Sequence, residues 1–192
     1  MKNFNTLISF SFTVLLFTSC AIRGGYHNGS ESFSYSSNGS SGVNVNAEAQ
    51  KSSNAKSSAS NSLNVSNSTS KSGFFIGIYF TDIELMDKLE IQPEIDFVMI
   101  KDFNQIQVPI LAKYEVADKI NALAGPNIGY LLDAGDGFKS LNFGIDIGAA
   151  YDVAEKININ ARYGFGLTNL LENAGNSSVK LSGFQIGVGY KF

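Results

Sequence analysis

Cysteine and histidine each occur once, tryptophan is missing, and only 16% of the 192 residues are charged. The lone cysteine, Cys20, excludes an internal disulfide. The lone histidine, His27, leaves the remaining chain without the base that acyl-transfer nucleophiles normally need, and without a zinc ligand set. Its neighbours are rich in Ser, Gly and Asn, so a solvated linker residue is expected there. A net charge of −3 gives no basic footprint for nucleic acid. No apolar run reaches the roughly 20 residues of a membrane-spanning helix. The charge deficit against the usual quarter of residues means that apolar surface must go somewhere other than water, and lipid is one such place.

The N-terminus indicates export. Lys2 is followed by an apolar run from Leu7 to Phe17, broken by Ser9, Ser11 and Thr13, and then by Thr18, Ser19 and Cys20. A basic start, a short hydrophobic region and small residues read as a signal peptide over residues 1–19. Phe17-Thr18-Ser19-Cys20 resembles a lipobox, with Phe in place of the usual Leu. That resemblance implies a lipoprotein whose first mature residue, Cys20, is acylated. The alternative is an ordinary signal with an incidental cysteine.

From Gly24 to Gly73 Ser, Asn and Gly dominate, a composition too poor in apolar surface to offset chain entropy. The reading is a linker over 20–31 and a low-complexity loop over 47–72. Between them Phe33, Tyr35, Val43 and Val45 alternate with polar residues, so a weak strand is expected within 32–47. Beyond Gly73 the alternation is strong and repeated. One face reads Phe74, Ile76, Ile78, Phe80 in the first segment and Leu89, Ile91, Pro93, Ile95, Phe97, Met99 in the second. Comparable segments start near Ile106, Ile120, Leu141 and Ile157, and GFQIGVGYKF ends the sequence at Phe192. A period of two is the signature of strands. With the weak candidate they make eight.

The connections alternate too. Residues 81–88, 115–119 and 153–156 are short and carry Asp-Lys or Glu-Lys pairs, whereas 47–72, 131–139 and 169–179 are longer and richer in Gly, Asn, Asp and Ser; 101–104 is short on the long side. Two details separate a membrane barrel from a soluble lipocalin-like carrier with an apolar pocket. The face opposite the apolar one holds small residues and amides, such as Gly125, Gly148, Gly164, Asn142 and Asn160, which suit the narrow interior of an eight-stranded barrel. The aromatics of the apolar face gather at strand ends: Phe80, Tyr114, Tyr151, Tyr190 and Phe192 at the short-turn end, Phe97, Tyr130 and Phe143 toward the other. Aromatic girdles mark the two membrane interfaces. The expected fold is all-β, an eight-stranded antiparallel up-and-down transmembrane β-barrel over 32–192.

Residues 73–192 also resemble the outer-membrane β-barrel family widespread in Bacteroidota, which includes PorT-like proteins. The stretches that carry the likeness are Leu89–Glu94 (LEIQPE), Val108–Tyr114 (VPILAKY), Ala124–Leu131 (AGPNIGYL), Asn160–Asn169 (NARYGFGLTN) and the terminal GFQIGVGYKF. The resemblance implies residence in the cell outer membrane, contact with its lipids, and handling by the outer-membrane insertion machinery. Tyr190 and the final Phe192 resemble the signal which that machinery reads. A role in a secretion or transport assembly is also implied as a possibility.

By strand parity Glu90, Glu94, Asp96 and Asp146 share the interior with Arg162 and Lys191. Two of these carboxylates could make a hydrolase pair, but charges in a low-dielectric lumen must be paired, and an ion-pair network plugging the bore is the favoured reading. Arg162 is expected to bridge one or more of Glu90, Glu94 and Asp146, since its planar fork can serve two carboxylates. Asp133-Ala-Gly-Asp-Gly lacks the spacing and closing Glu of an EF-hand loop, so a plain turn is expected. No cofactor, metal or nucleic-acid partner is expected. The functional expectation is a non-enzymatic barrel with a structural role or one of contact through exposed loops. Because Phe192 continues the lipid-facing row Phe184, Ile186, Val188, Tyr190 yet sits at the rim, deleting it should lower the amount of protein inserted in cells. The molecules that do insert should keep nearly normal heat resistance on SDS gels; insertion at wild-type levels would leave Phe192 as a girdle residue only.

Overall fold

Alternating residues become strands, and the strands close on themselves. The computed structural model describes residues 20–38, 62–101, 103–173 and 175–192. Its strands are β1 Cys20–Asn38, β2 Ser62–Phe80, β3 Ile83–Met86, β4 Leu89–Ile100, β5 Gln105–Ala117, β6 Ile120–Leu131, β7 Leu141–Ala154, β8 Ile157–Gly166 and β9 Ser177–Lys191. The order is β2-β1-β9-β8-β7-β6-β5-β4-β3, all pairs antiparallel, and an added β2–β4 pairing closes the ring. The short β3 continues the β2 side of β4 past a kink at Thr81–Asp82, where Asp82 adopts φ 62°. The barrel therefore has eight staves. Closure removes every free edge within the ring, the condition a strand must meet in lipid.

The first strand departs from expectation. It starts at Cys20, not within 32–47, so residues 20–31 are barrel wall and not a linker. Phe33 and Tyr35 belong to its far end, while Val43 and Val45 lie outside the described residues, as does the signal segment 1–19. Likewise β2 starts at Ser62, so 62–72 is strand and not loop. The physical reason is that a barrel strand needs backbone partners on both sides more than it needs apolar side chains. β1 is hydrogen-bonded to β2 from Cys20 to Asn38 and to β9 from Ala21 to Tyr35. Those ladders outweigh the low apolar content that suggested disorder.

The apolar face points outward. Ile147 is 47% exposed and Val188 52%, and the same holds along the apolar rows of β4 to β9. The lipocalin-like reading fails on this point, because its apolar pocket would face inward. Tyr114, Tyr151, Tyr190 and Phe192 stand exposed at one end, and Phe74, Phe97, Tyr130 and Phe143 toward the other. These two belts bracket an apolar band as a bilayer requires.

The short turns share a construction. Lys88 and Lys119 both sit at φ 64°, and the pairing shifts register next to the turns at Glu84/Met86, Glu115/Ala117 and Asp152/Ala154. The carbonyls of Lys88, Lys119 and Lys156 then accept N–H groups from Glu115, Asp152 and Lys191 at 2.8–2.9 Å, tying each turn to the next hairpin. The bore is narrow enough that glycine is obligatory at some inward positions. A Cβ on Gly125 would lie 2.0 Å from the Ile110 carbonyl oxygen. Gly125→Val should thus reduce the heat-modifiable, folded fraction several-fold in refolding assays, whereas Ile147→Val on the lipid face should leave it nearly unchanged.

Candidate functional site

The lumen is where this barrel concentrates its chemistry. Inward positions of β1, β4, β5, β8 and β9 bring Arg23, Glu94, Asp96, Gln107, Arg162 and Gln185 to one level. Arg162 is 2% exposed, Arg23 4%, Glu94 1% and Asp96 0%. Arg162 donates to Glu94 Oε2 at 2.6 Å, to Asp96 Oδ2 at 3.2 Å and to Gln185 Oε1 at 3.0 Å. Arg23 donates to the same Glu94 oxygen, to Asn160 at 3.2 Å and to Gln185 at 3.3 Å, and lies 3.7 Å from Asp96. Gln92 donates to the other Glu94 oxygen at 2.6 Å. Gln185 in turn donates to Gln107 at 3.1 Å.

Ring geometry gives these bonds their meaning. In the order β2-β1-β9-β8-β7-β6-β5-β4, β8 stands diametrically opposite β4, and β9 opposite β5. Arg162–Glu94 and Gln185–Gln107 are therefore two braces crossing the full bore. The lumen makes room for them with glycine. A Cβ on Gly148 would be 2.7 Å from Arg162 Cγ, and one on Gly77 2.1 Å from Asp96 Oδ1. Phe75 backs the layer with its ring 4.6 Å from the Arg23 guanidinium. One cavity lies on each side. That toward the long connections is lined by His27, Gln105, Asn142, Asp146 and Arg162 among others, and that toward the short turns by Glu90, Lys113, Asn121 and Asp152 among others. The two share no lining residue, and between them lie the braces and the Leu111–Leu123–Ala150 cluster.

The six residues expected to form a network fall into three groups. Glu94, Asp96 and Arg162 meet in the central layer. Glu90 does not reach Arg162; it accepts from Lys113 at 3.3 Å near the short-turn rim. Asp146 does not reach it either; both its oxygens accept from Asn127 Nδ2, at 3.2 and 3.0 Å. Lys191 donates to Asp82 at 2.7 Å, at the rim. Burial raises the Asp82 carboxyl, but the hydrogen bonds from Lys191 and Thr81 outweigh it and hold the group below its usual value. Arg23, which takes half of the central layer, was missed because β1 was read as linker. His27 was misplaced for the same reason. It is 4% exposed and faces the lumen, with no partner on Nδ1. A nucleophile-activating base needs a group to orient it, and among the described residues none bonds to His27 Nδ1. Among the described residues no group of three or more His, Cys, Asp or Glu side chains is placed to hold a metal.

Cys20 opens β1 at the short-turn rim, opposite Phe80, and its carbonyl accepts the Phe192 N–H at 3.4 Å. It shares the parity of lipid-facing Ile22. Tyr190 and Phe192 meet edge to face with ring centroids 5.7 Å apart.

A family model described as outer membrane protein beta-barrel domain matches residues 19–192. No curated protein matches the chain. Among solved structures it is similar to Neisserial surface protein A, at 13% identity, TM-score 0.49, covering 90% of this chain and 97% of that one. It is also similar to Ail, the attachment invasion locus protein of Yersinia pestis, solved with the heparin analogue sucrose octasulfate: 13% identity, TM-score 0.46, 91% of this chain and 98% of that one. A third is a chain from the de novo design of transmembrane β-barrels, at 12% identity and TM-score 0.44, covering 88% of this chain and 96% of that one.

Each arginine of the central layer neutralises carboxylates that are almost completely buried. Replacing Arg23 or Arg162 by Ala should therefore destabilise the folded barrel by about 3–5 kcal/mol, as loss of one partner of a buried pair does. Glu90→Ala, whose carboxylate is at the half-open rim, should cost well under about 1 kcal/mol. Denaturant unfolding in detergent or lipid measures both.

Proposed function

From the premise that this chain belongs to the outer membrane protein β-barrel domain family, we propose that it is a closed, non-enzymatic barrel acting through the surface it presents beyond the bilayer. The observation that carries this reading is the β1–β2 hairpin. β2 pairs with β1 from Ser62 to Phe80 but with β4 only from Gly73 to Tyr79. Residues 62–72 thus run on beyond β4, and among the described residues no strand pairs with their far edge. An open strand edge is a template for main-chain pairing with another chain. The outward side of the hairpin is polar: Tyr26 and Ser72 bond at 2.6 Å and Ser30 and Ser68 at 2.8 Å, and Ser34 bonds Ser178 of β9 at 2.7 Å. Such a hydroxyl ladder suits water, not lipid.

Orientation follows the usual pattern of short periplasmic turns and long external connections, which puts the hairpin outside the cell and both described ends in the periplasm. If Cys20, at the inner rim with lipid-side parity, is acylated, its chains would enter the inner leaflet directly. No linker then separates Cys20 from the barrel, because residues 21–31 are strand.

The test is complementation of cells lacking the gene with a barrel whose hairpin is shortened to residues 29 and 71 across an Asn-Gly turn. The shortened protein should insert and resist heat, yet fail to restore the envelope phenotype. Full restoration would place the function in the barrel body, and a general loss of secreted proteins in the deletion strain would favour a secretion or transport assembly.

A further inference from the structure

We infer that the cavity on the hairpin side of the central layer binds the end of a neutral saccharide chain, its hydroxyls among the amides of the barrel mouth and its rings against Phe33 and Tyr35. Access from outside the cell rests on the outward orientation of the hairpin proposed above. The first ground is the chemistry of the cavity. Gln105 and Gln107 line it from β5, Asn127 from β6, Asn142 from β7 and Gln185 from β9. Gln105 is 5% exposed, and among the described residues its Oε1 accepts no hydrogen bond; nor do the Oδ1 atoms of Asn127 and Asn142. His27, 4% exposed, adds an unpaired Nδ1 from β1. Buried polar atoms left unpaired are costly, and a ligand that bonds to them recovers that cost. A hydroxyl donates one bond and accepts two, so it answers an amide presented by either end. The unpaired atoms are not gathered at one point. Asn127 stands opposite Gly144, whereas Asn142 stands opposite Gly129, one inward position further along β6. Two residues of strand span about 7 Å. Hydroxyls spread around a sugar ring suit that spacing, and a point charge does not.

The second ground is charge. The Lys and Arg side chains that line the cavity, Lys71 and Arg162, both face carboxylates. Lys71 lies 3.8 Å from Glu31 at the mouth, and Arg162 lies 2.6 Å from Glu94 and 3.2 Å from Asp96. Both oxygens of Asp146 accept from Asn127 Nδ2. An anionic ligand therefore finds no spare guanidinium or ammonium group there, and a cationic one meets a carboxylate that is already hydrogen-bonded. A neutral donor-rich ligand meets neither obstacle.

The third ground is the wall above the mouth. Phe33 and Tyr35 share the inward parity of Arg23, His27 and Glu31, and β1 pairs with β2 and β9 over this stretch without a register shift. They extend the wall beyond Glu31 by about 7 and 13 Å along the strand. Phe33 is 41% exposed and Tyr35 42%. Neither is a girdle residue, because their parity turns them to the lumen side of the hairpin and away from lipid. Such rings offer an apolar face to the C–H side of a sugar, and Tyr35 adds a hydroxyl. Below them Ile100 and Phe103 give the cavity one apolar flank. At water's radius the cavity measures ≈ 50 Å³, about four waters' worth, so one edge of a terminal ring enters it. The rings that follow then lie along β1, against Phe33 and Tyr35.

The probe is an array of neutral hexose, pentose and N-acetylhexosamine oligosaccharides. It is read with labelled, folded protein in lauryldimethylamine oxide, a detergent without a sugar headgroup. The wild type should bind a subset of the array, and the same oligosaccharides free in solution should compete. Asn142→Leu, which keeps every charge, should weaken binding at least tenfold. So should the double change Phe33→Ala and Tyr35→Ala, which removes two exposed rings. Glu90→Gln, in the other cavity, should leave binding unchanged. If Asn142→Leu does not fold, the aromatic pair carries the test. Four results would each overturn the assignment: no neutral glycan bound, sulfated or amino sugars bound alone, equal loss in Glu90→Gln, or retention in every cavity and aromatic variant that folds. All these variants keep the hairpin at full length, so the outcome is separate from that of the shortened barrel. A wild type that binds no glycan removes this inference and leaves the hairpin's role standing; a shortened barrel that restores the envelope phenotype does the reverse.

Discussion

Two guanidinium groups facing two carboxylates across the bore are the constraint on which the rest depends. Arg162 reaches from β8 to Glu94 and Asp96 on the opposite strand, and Arg23 joins them from β1. Charges in such a place are tolerated only when paired and hydrogen-bonded. Gln92, Asn160 and Gln185 bond to them, and Gln185 donates on to Gln107, while Arg23 Nε, Arg162 Nε and Asp96 Oδ1 have no partner among the described residues. The braces need slender neighbours, and so the inward face carries glycine where a large side chain crosses. Gly77 faces Asp96, Gly148 faces Arg162, and Gly187 faces Phe75. Part of the glycine-rich texture of the sequence is thus the complement of a few large side chains, and part, as at Gly125, keeps a Cβ off the backbone of the neighbouring strand.

The outside obeys a simpler rule. Lipid places no demand on shape, so the outward rows of Ile, Val, Phe and Tyr are varied and exposed, ending in aromatics at both interfaces. Division of labour follows. The outer face sets where the protein resides, the inner face sets whether it is a pore, and the hairpin that leaves the ring is free of both duties. The outward side of that extension is polar, and its polarity disguised it.

Legibility in the sequence followed the same division. β4 to β9 were plain, because a lipid-facing row alternates apolar and small residues without interruption, as Leu141 to Tyr151 does. Parity also put Glu94, Asp96 and Arg162 on the lumen side. β1 and most of β2 were not legible, since a strand held by two backbone ladders can be built from Gly, Ser and Asn and shows no period. With β1 went Arg23 and His27, and with them the chance to see that Arg162 had a twin. The misassigned partners of Glu90 and Asp146 have another cause. Parity fixes the side of the wall, but depth along the bore depends on register and shear, which only the pairing of strands reveals: Glu90 pairs opposite Lys113 at the rim, and Asp146 lies next to Asn127 above the braces.

The central claim is that the charged layer closes the lumen, and electrical recording in planar bilayers tests it most directly. Purified, refolded protein added to a bilayer in concentrated KCl should give no stable conductance steps, because ions meet the Arg–carboxylate braces from either side. Large, steady, voltage-independent steps from protein verified as folded by its heat-dependent gel mobility would contradict the account and make the lumen an open pore.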